Sequence, residues 1–151
     1  MTPEVTIDVA TPEDRPRLRA IQRAVLAEPS PDLLAVAVDG AGLALVARVD
    51  QPAQTDDPVG YALALTADEI TYIPELAVTP AWQRQGIGTV LIERTAERAT
   101  ADGVTEIRLT VRADDDAARA FYRDCGFEVL EELPDHYETG SGAGLLLRRR
   151  L

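Results

Sequence analysis

Apolar and polar residues alternate from residue 5 to residue 9, the spacing of a strand with one face buried. Thr11, Pro12 and Asp14 then open a helix, with a hydroxyl cap, a proline at the first position and an acid three residues on. Leu18, Ile21 and Val25 recur at helical spacing along it. Ser30-Pro31-Asp32 starts a second, shorter helix by the same logic. Residues 43–48 read as a strand, and residues 51–58, rich in Pro and Asp, as a loop. Two further strands, 59–66 and 70–78, are joined by Ala67-Asp68-Glu69. Pro74 interrupts the second, which demands an edge or a bulge and splays the strand from its neighbour. After Gly88, a helix carries Leu91, Ile92, Thr95, Ala96 and Ala99 on its packing face. A strand at 106–111 follows, then a helix capped by Asp114 to Asp116 that turns Ala117, Ala118, Phe121 and Cys125 inward. Strands at 127–133 and 144–150 close the chain. The pattern predicts one α+β domain over residues 1–151, without repeats or linkers. Its sheet is mixed and mostly antiparallel, with a splayed central strand pair and helices on both faces.

The junction between the 70–78 strand and the next helix carries the chemistry. Gly86 and Gly88 let backbone N–H groups approach a ligand unobstructed. The first helical turn adds unpaired N–H donors and the positive end of the helix dipole, the makings of a phosphate or pyrophosphate site. A P-loop would need a lysine, and the chain has none. A dinucleotide fingerprint would need a third glycine where Leu91 stands, and an acid at the far end of the next strand, whereas Glu106 begins it.

The pattern that does fit is Gln83-Arg84-Gln85-Gly86-Ile87-Gly88, preceded by Leu76-Ala77-Val78 and Pro80. It resembles the acyl-CoA pyrophosphate loop of the GNAT superfamily of N-acetyltransferases. A second block, Ala118-Arg119-Ala120-Phe121-Tyr122-Arg123-Asp124-Cys125-Gly126-Phe127, is similar to that family's Ala-x-x-Phe-Tyr-x-x-x-Gly-Phe motif. The nearest likeness is to the branch that acetylates the terminal alanine of a ribosomal protein. Element order and length extend the resemblance over nearly the whole chain.

The resemblance implies acetyl-CoA as cosubstrate, a GNAT-like fold, and transfer to a primary amine. Gln85, Gly86, Ile87, Gly88 and Thr89 would hold the pyrophosphate through backbone N–H groups, with Gln83 and Arg84 beside them. Leu76, Ala77 and Val78 would meet pantetheine or the thioester oxygen along a strand opened by the bulge. Asp115 stands where the family usually has an asparagine that contacts the cofactor. The reaction needs an acceptor for the amine's proton, donors for the oxyanion, and a proton for the leaving thiolate. Tyr122 matches the family's proton-donating tyrosine. The glutamate that serves the N-terminal branch as base is replaced by Thr110, so Glu75 is the expected substitute, directly or through water. His136, the one histidine, could also take the proton; with Tyr137 it belongs to a loop expected to meet the acceptor. Cys125 is expected to pack rather than attack, and Trp82 to pack beside the loop. A small-molecule amine is the alternative acceptor. A non-catalytic acyl-CoA-binding module is a further alternative, against which Tyr122 argues.

Composition narrows the partners. The formal charge of −11 excludes a nucleic-acid role. No apolar run suggests a membrane span or a signal peptide, and one cysteine points to a reducing cytoplasm. A monomer or homodimer is expected. The Asp114–Asp116 run is better explained by the helix dipole than by a metal, so no metal is expected. All fifteen basic residues are arginine, against twenty-six acids. Such a surface stays hydrated in concentrated salt; a GC-rich codon bias also favours Arg over Lys but does not explain the imbalance.

Overall fold

A computed structural model describes residues 4–26, 31–49, 57–137 and 142–151; Ser30 and residues 51–56 of the expected loop lie outside them. Among the described residues, one sheet of seven strands runs in the order β1-β2-β3-β4-β5-β7-β6. The strands are β1 (Val5–Val9), β2 (Leu43–Val49), β3 (Gly60–Ala67), β4 (Ile70–Val78), β5 (Glu106–Arg112), β6 (Glu128–Leu133) and β7 (Gly144–Arg150). Every pairing is antiparallel except β4 with β5. The helices are α1 (Arg15–Val25), α2 (Pro31–Val36), α3 (Ile87–Ala101) and α4 (Asp116–Asp124). No helix among the described residues is long and apolar enough to cross a membrane.

Alternation along β2 shows how the layers form. Ala44 and Val46 join Leu18, Ile21 and Leu34 of α1 and α2, whereas Leu45 and Ala47 join Ile87 and Leu91 of α3. A third cluster seats Ile92 and Ala96 of α3 and Phe121 of α4 over Ile107, Leu109 and Leu147. The helices therefore cover both faces, as the pattern predicts. Leu91, Ile92, Thr95, Ala96 and Ala99 are all buried, but Ala117 is exposed, not inward: it belongs to the first turn of α4, beyond the sheet's reach.

The reciprocal cap expected at Thr11 opens a 3-10 turn, Pro12–Asp14, that runs directly into α1. The Asp14 carboxylate accepts from Thr11 N–H at 3.0 Å and from Arg48 at 2.9 Å. Burial alone would raise the Asp14 pKa; the Thr11 N–H and the Arg48 guanidinium outweigh it and hold the carboxyl below its usual range.

Pro74 marks a bulge. Leu63 faces Glu75 while Leu65 faces Tyr72, so Ile73 and Pro74 together oppose Ala64. The extra residue explains why Ile73 and Leu76, three apart, both lie on the α3 side, while Glu75 and Ala77 lie on the α1 side. On its other edge β4 pairs with β5 only from Ile70 to Tyr72, against Glu106 to Arg108. Beyond that point the two strands part.

Candidate active site

The gap between the parted strands holds two adjoining cavities. One, of about 370 Å³, runs from β4 to the start of α3 and the flank of α4. Leu76, Ala77, Val78, Gln83, Arg84, Gly86, Ile87, Gly88, Thr89 and Asp115 line it, together with Trp82, Phe121 and Tyr122. The other, of about 400 Å³, opens on the side of α1 and β5, with Glu75, Thr110, Arg112 and Tyr137 in its wall. Val25, Leu76, Asp115, Ala118 and Tyr122 belong to both, so the cavities meet at the Tyr122 ring.

The loop before α3 is shaped by its own side chains. Gln83 donates through its amide to Val78 O at 2.9 Å, tying the loop back to the end of β4, and Gln85 donates to Ala81 O at 3.4 Å. Gln85 alone of the expected loop residues is absent from the cavity wall. Arg84 and Gly86 both take positive φ, 62° and 87°, which turns the chain sharply into the helix. The first α-helical bond of α3 runs from Val90 N–H to Gly86 O at 3.1 Å. The N–H groups of Gly86, Ile87, Gly88 and Thr89 therefore have no acceptor within the helix. This ring of donors at a positive helix end fits a pyrophosphate. Gly88 has a second reason to be glycine: a Cβ there would stand 3.1 Å from the Phe121 ring, so its absence lets α4 close on α3.

Asp115 caps α4, its Oδ1 accepting from Ala118 N–H at 3.0 Å. That bond occupies one carboxylate oxygen, and an aspartate has no amide to donate into the cavity. Tyr122 follows on α4, edge-on to Phe121 at 5.0 Å and to Phe127 at 5.7 Å. Burial, with smaller contributions from Cys125, Asp115 and Tyr137, pushes its phenol well above the ordinary tyrosine value. It keeps its proton at neutral pH. Cys125 closes α4 and packs with the third cluster; burial raises its thiol, against a partly offsetting hydrogen bond with Thr89. A protonated thiol is a poor nucleophile.

Glu75 is 7% exposed. Its Oε1 accepts from Gln22 Nε2 of α1 at 2.8 Å and from the Tyr61 hydroxyl of β3 at 2.9 Å. Neither donor is anticipated by the sequence reading. Gln22 was legible in principle, as a polar residue on the apolar stripe of Leu18, Ile21 and Val25; Tyr61 sits among buried strand residues and gives no such signal. Tyr137 reaches the acceptor-side cavity, with the Arg112 guanidinium 4.8 Å above its ring. His136 does not belong to that wall; it is exposed, edge-on to Tyr137 at 4.7 Å, with its Cβ against Gly144. Only one of these two neighbouring rings lines the cavity.

Comparison with known proteins agrees with this geometry. The acetyltransferase (GNAT) family matches residues 12–127. The [ribosomal protein bS18]-alanine N-acetyltransferase of Escherichia coli K12 is 37% identical over 75 residues, a match that spans half of this chain and half of that enzyme. The crystal structure of the E. coli ribosomal-protein-S18-alanine N-acetyltransferase superposes with a TM-score of 0.83 at 25% identity, covering 97% of this chain and 94% of that one. Arabidopsis thaliana NAA60 in complex with acetyl-CoA shares the fold, with a TM-score of 0.86 at 18% identity and 98% and 99% coverage. With the loop, the parted strands and the family match in agreement, the chain belongs to the GNAT family of acetyltransferases.

Proposed function

We propose that this protein transfers the acetyl group of acetyl-CoA to the α-amine at the terminus of a peptide or protein, in a reducing cytoplasm. The observation that carries the reading is the convergence of Glu75 and Tyr122 on adjoining cavities, one behind a helix-start phosphate cradle and one open to an acceptor. Acetyl-CoA would supply the activated thioester. The N–H groups of Gly86, Ile87, Gly88 and Thr89 hold its pyrophosphate, and β4 beyond the bulge offers backbone donors to the rest. Glu75 takes a proton from the incoming ammonium, directly or through a water. Tyr122 holds a proton on Oη at the seam of the cavities, where a departing thiolate can receive it.

The α-amine fits a site with one carboxylate base. An amine with pKa about 8 costs about 1.4 kcal/mol to deprotonate at pH 7, and a lysine amine about 4.6 kcal/mol. The resemblance to the bS18-alanine enzyme supports the same acceptor class. The test is competition between peptides with a free terminus and blocked peptides carrying only a lysine amine, read by thiol release. Free termini should win. Preference for lysine, polyamines or aminoglycosides would replace this reading with small-amine acetylation.

A further inference from the structure

We infer that Gln22 and Tyr61 are positioning residues for the reaction, a buried pair of donors on α1 and β3 that fixes the Glu75 carboxylate in the orientation in which it takes the proton. The inference rests on the reading of Glu75 as base. Both donors meet the same oxygen, Oε1, at 2.8 and 2.9 Å. Gln22 is 1% exposed and Tyr61 0%. Two donors from different elements triangulate one oxygen, so rotation of the carboxylate must break at least one bond inside the core. Breaking it would strand a buried amide or hydroxyl. The bulge at Ile73–Pro74 contributes by setting Glu75 on the α1 side, within reach of both.

The donors differ in kind, and the difference is useful. Gln22 cannot titrate. Tyr61 can, but burial first, then the charge of Glu75 and the bond to it, push its phenol far above the ordinary value, so it remains a donor throughout the working range. Among the described residues, the other charged or titratable groups lining the acceptor-side cavity with Glu75 are Arg112, Asp115, Tyr122 and Tyr137. None of these takes part in the Oε1 pair. Donors to an ionised carboxylate favour the ionised form, and a second carboxylate beside it opposes that form.

The test is the acidic limb of the kcat/KM profile, which a merely space-filling role would not move. Tyr61→Phe keeps the ring and removes one donor; the limb should shift up by about one pH unit. Gln22→Glu puts a carboxyl 2.8 Å from Oε1 and should shift it further. In both variants acetyl-CoA affinity by calorimetry should stay within about twofold, since neither residue lines the cofactor cavity. Glu75→Gln is run beside them. If Glu75→Gln loses the limb but the other two coincide with the parent, the positioning role is overturned and the base stands. If Glu75→Gln keeps the parent's limb, the base assignment fails and the positioning role with it. If Gln22 and Tyr61 serve only packing, Tyr61→Phe will change melting temperature and leave the profile in place, which also overturns the inference.

Discussion

The glycine loop before α3 and the Glu75 pocket lie at two adjoining cavities and are built by opposite means. The loop is backbone chemistry: residues 83–86 are all exposed, and the turn they make presents the N–H groups of Gly86, Ile87, Gly88 and Thr89. The pocket is side-chain chemistry, three polar groups from α1, β3 and β4 at 7% exposure or less, of which only Glu75 lines the cavity. An exposed site tolerates many side chains but few backbone conformations. A buried polar site tolerates almost any local backbone that keeps its partners but no loss of a partner. Substitutions in the two regions should therefore fail in different measurements.

The sharpest break is expected at the seam. Tyr122→Phe should reduce kcat by about 10²-fold or more, the usual contribution of general acid catalysis, with acetyl-CoA affinity nearly unchanged. Turnover equal to the parent's would make Tyr122 a core residue that happens to face both cavities.

Gly86→Val should act mainly on binding, at a small cost in stability. At φ 87° a β-branched residue is strained, by about 1–3 kcal/mol, and it would relax the turn that aims the N–H groups. Acetyl-CoA affinity should fall at least about tenfold, with the melting temperature lowered by a few degrees. An unchanged calorimetric Kd would dissociate the loop from the pyrophosphate.

Salt should separate the two regions without mutation. CoA is an anion and the chain carries −11, so long-range repulsion opposes their encounter. Raising salt from about 0.01 M to 1 M shortens the Debye length from about 30 Å to 3 Å. KM for acetyl-CoA should drop severalfold, while kcat, governed by groups out of reach of mobile ions, should hold. A KM that climbs with salt would mean that nearby arginines dominate, and would remove the argument for a salt-adapted surface.

The smallest effect is at the back of α3. Arg149 donates to Glu93 at 2.7 and 3.1 Å and to Cys125 O at 3.2 Å, joining both helices behind the loop to β7. The Arg149 hydrogen bond, opposed by some burial, holds Glu93 below the usual carboxylate range. Its folded-state pKa is depressed, so its contribution is present above about pH 4.5 and is lost as pH falls below it. The Glu93 side chain is 47% exposed, so Glu93→Gln should cost less than about 1 kcal/mol at neutral pH. The difference from the parent should shrink as melts are taken from neutral pH down through the carboxylate range. A gap that does not shrink would assign the loss to packing.

What could be foreseen from the chain follows the same division. Pattern and turn signals placed the seven strands and the four α-helices among the described residues, and Pro74 announced the bulge, because these depend on neighbours in sequence; the short helical turns at Ala37–Ala41 and Pro80–Trp82 gave no such signal. The loop was legible because backbone recognition leaves glycines at fixed spacing. The setting of Glu75 was not, because residues 22, 61 and 75 are brought together only by the sheet and by α1 lying across it. His136 shows the converse: adjacency to Tyr137 in sequence did not bring it into the cavity wall.

The bulge in β4 is separable from the residues around it. A sheet alternates in twos, and two residues stand opposite Ala64 where a regular ladder has one. Removing Pro74 would leave Ile73 on the α3 side and Glu75 on the α1 side, with every later residue facing as it does now. What would be lost is the bend. The strand could then continue beside β5 and close the cleft from within, while core and pocket kept their partners. One residue thus divides a folded chain of this shape from one with a place to work, and its deletion would yield a protein that is whole but shut.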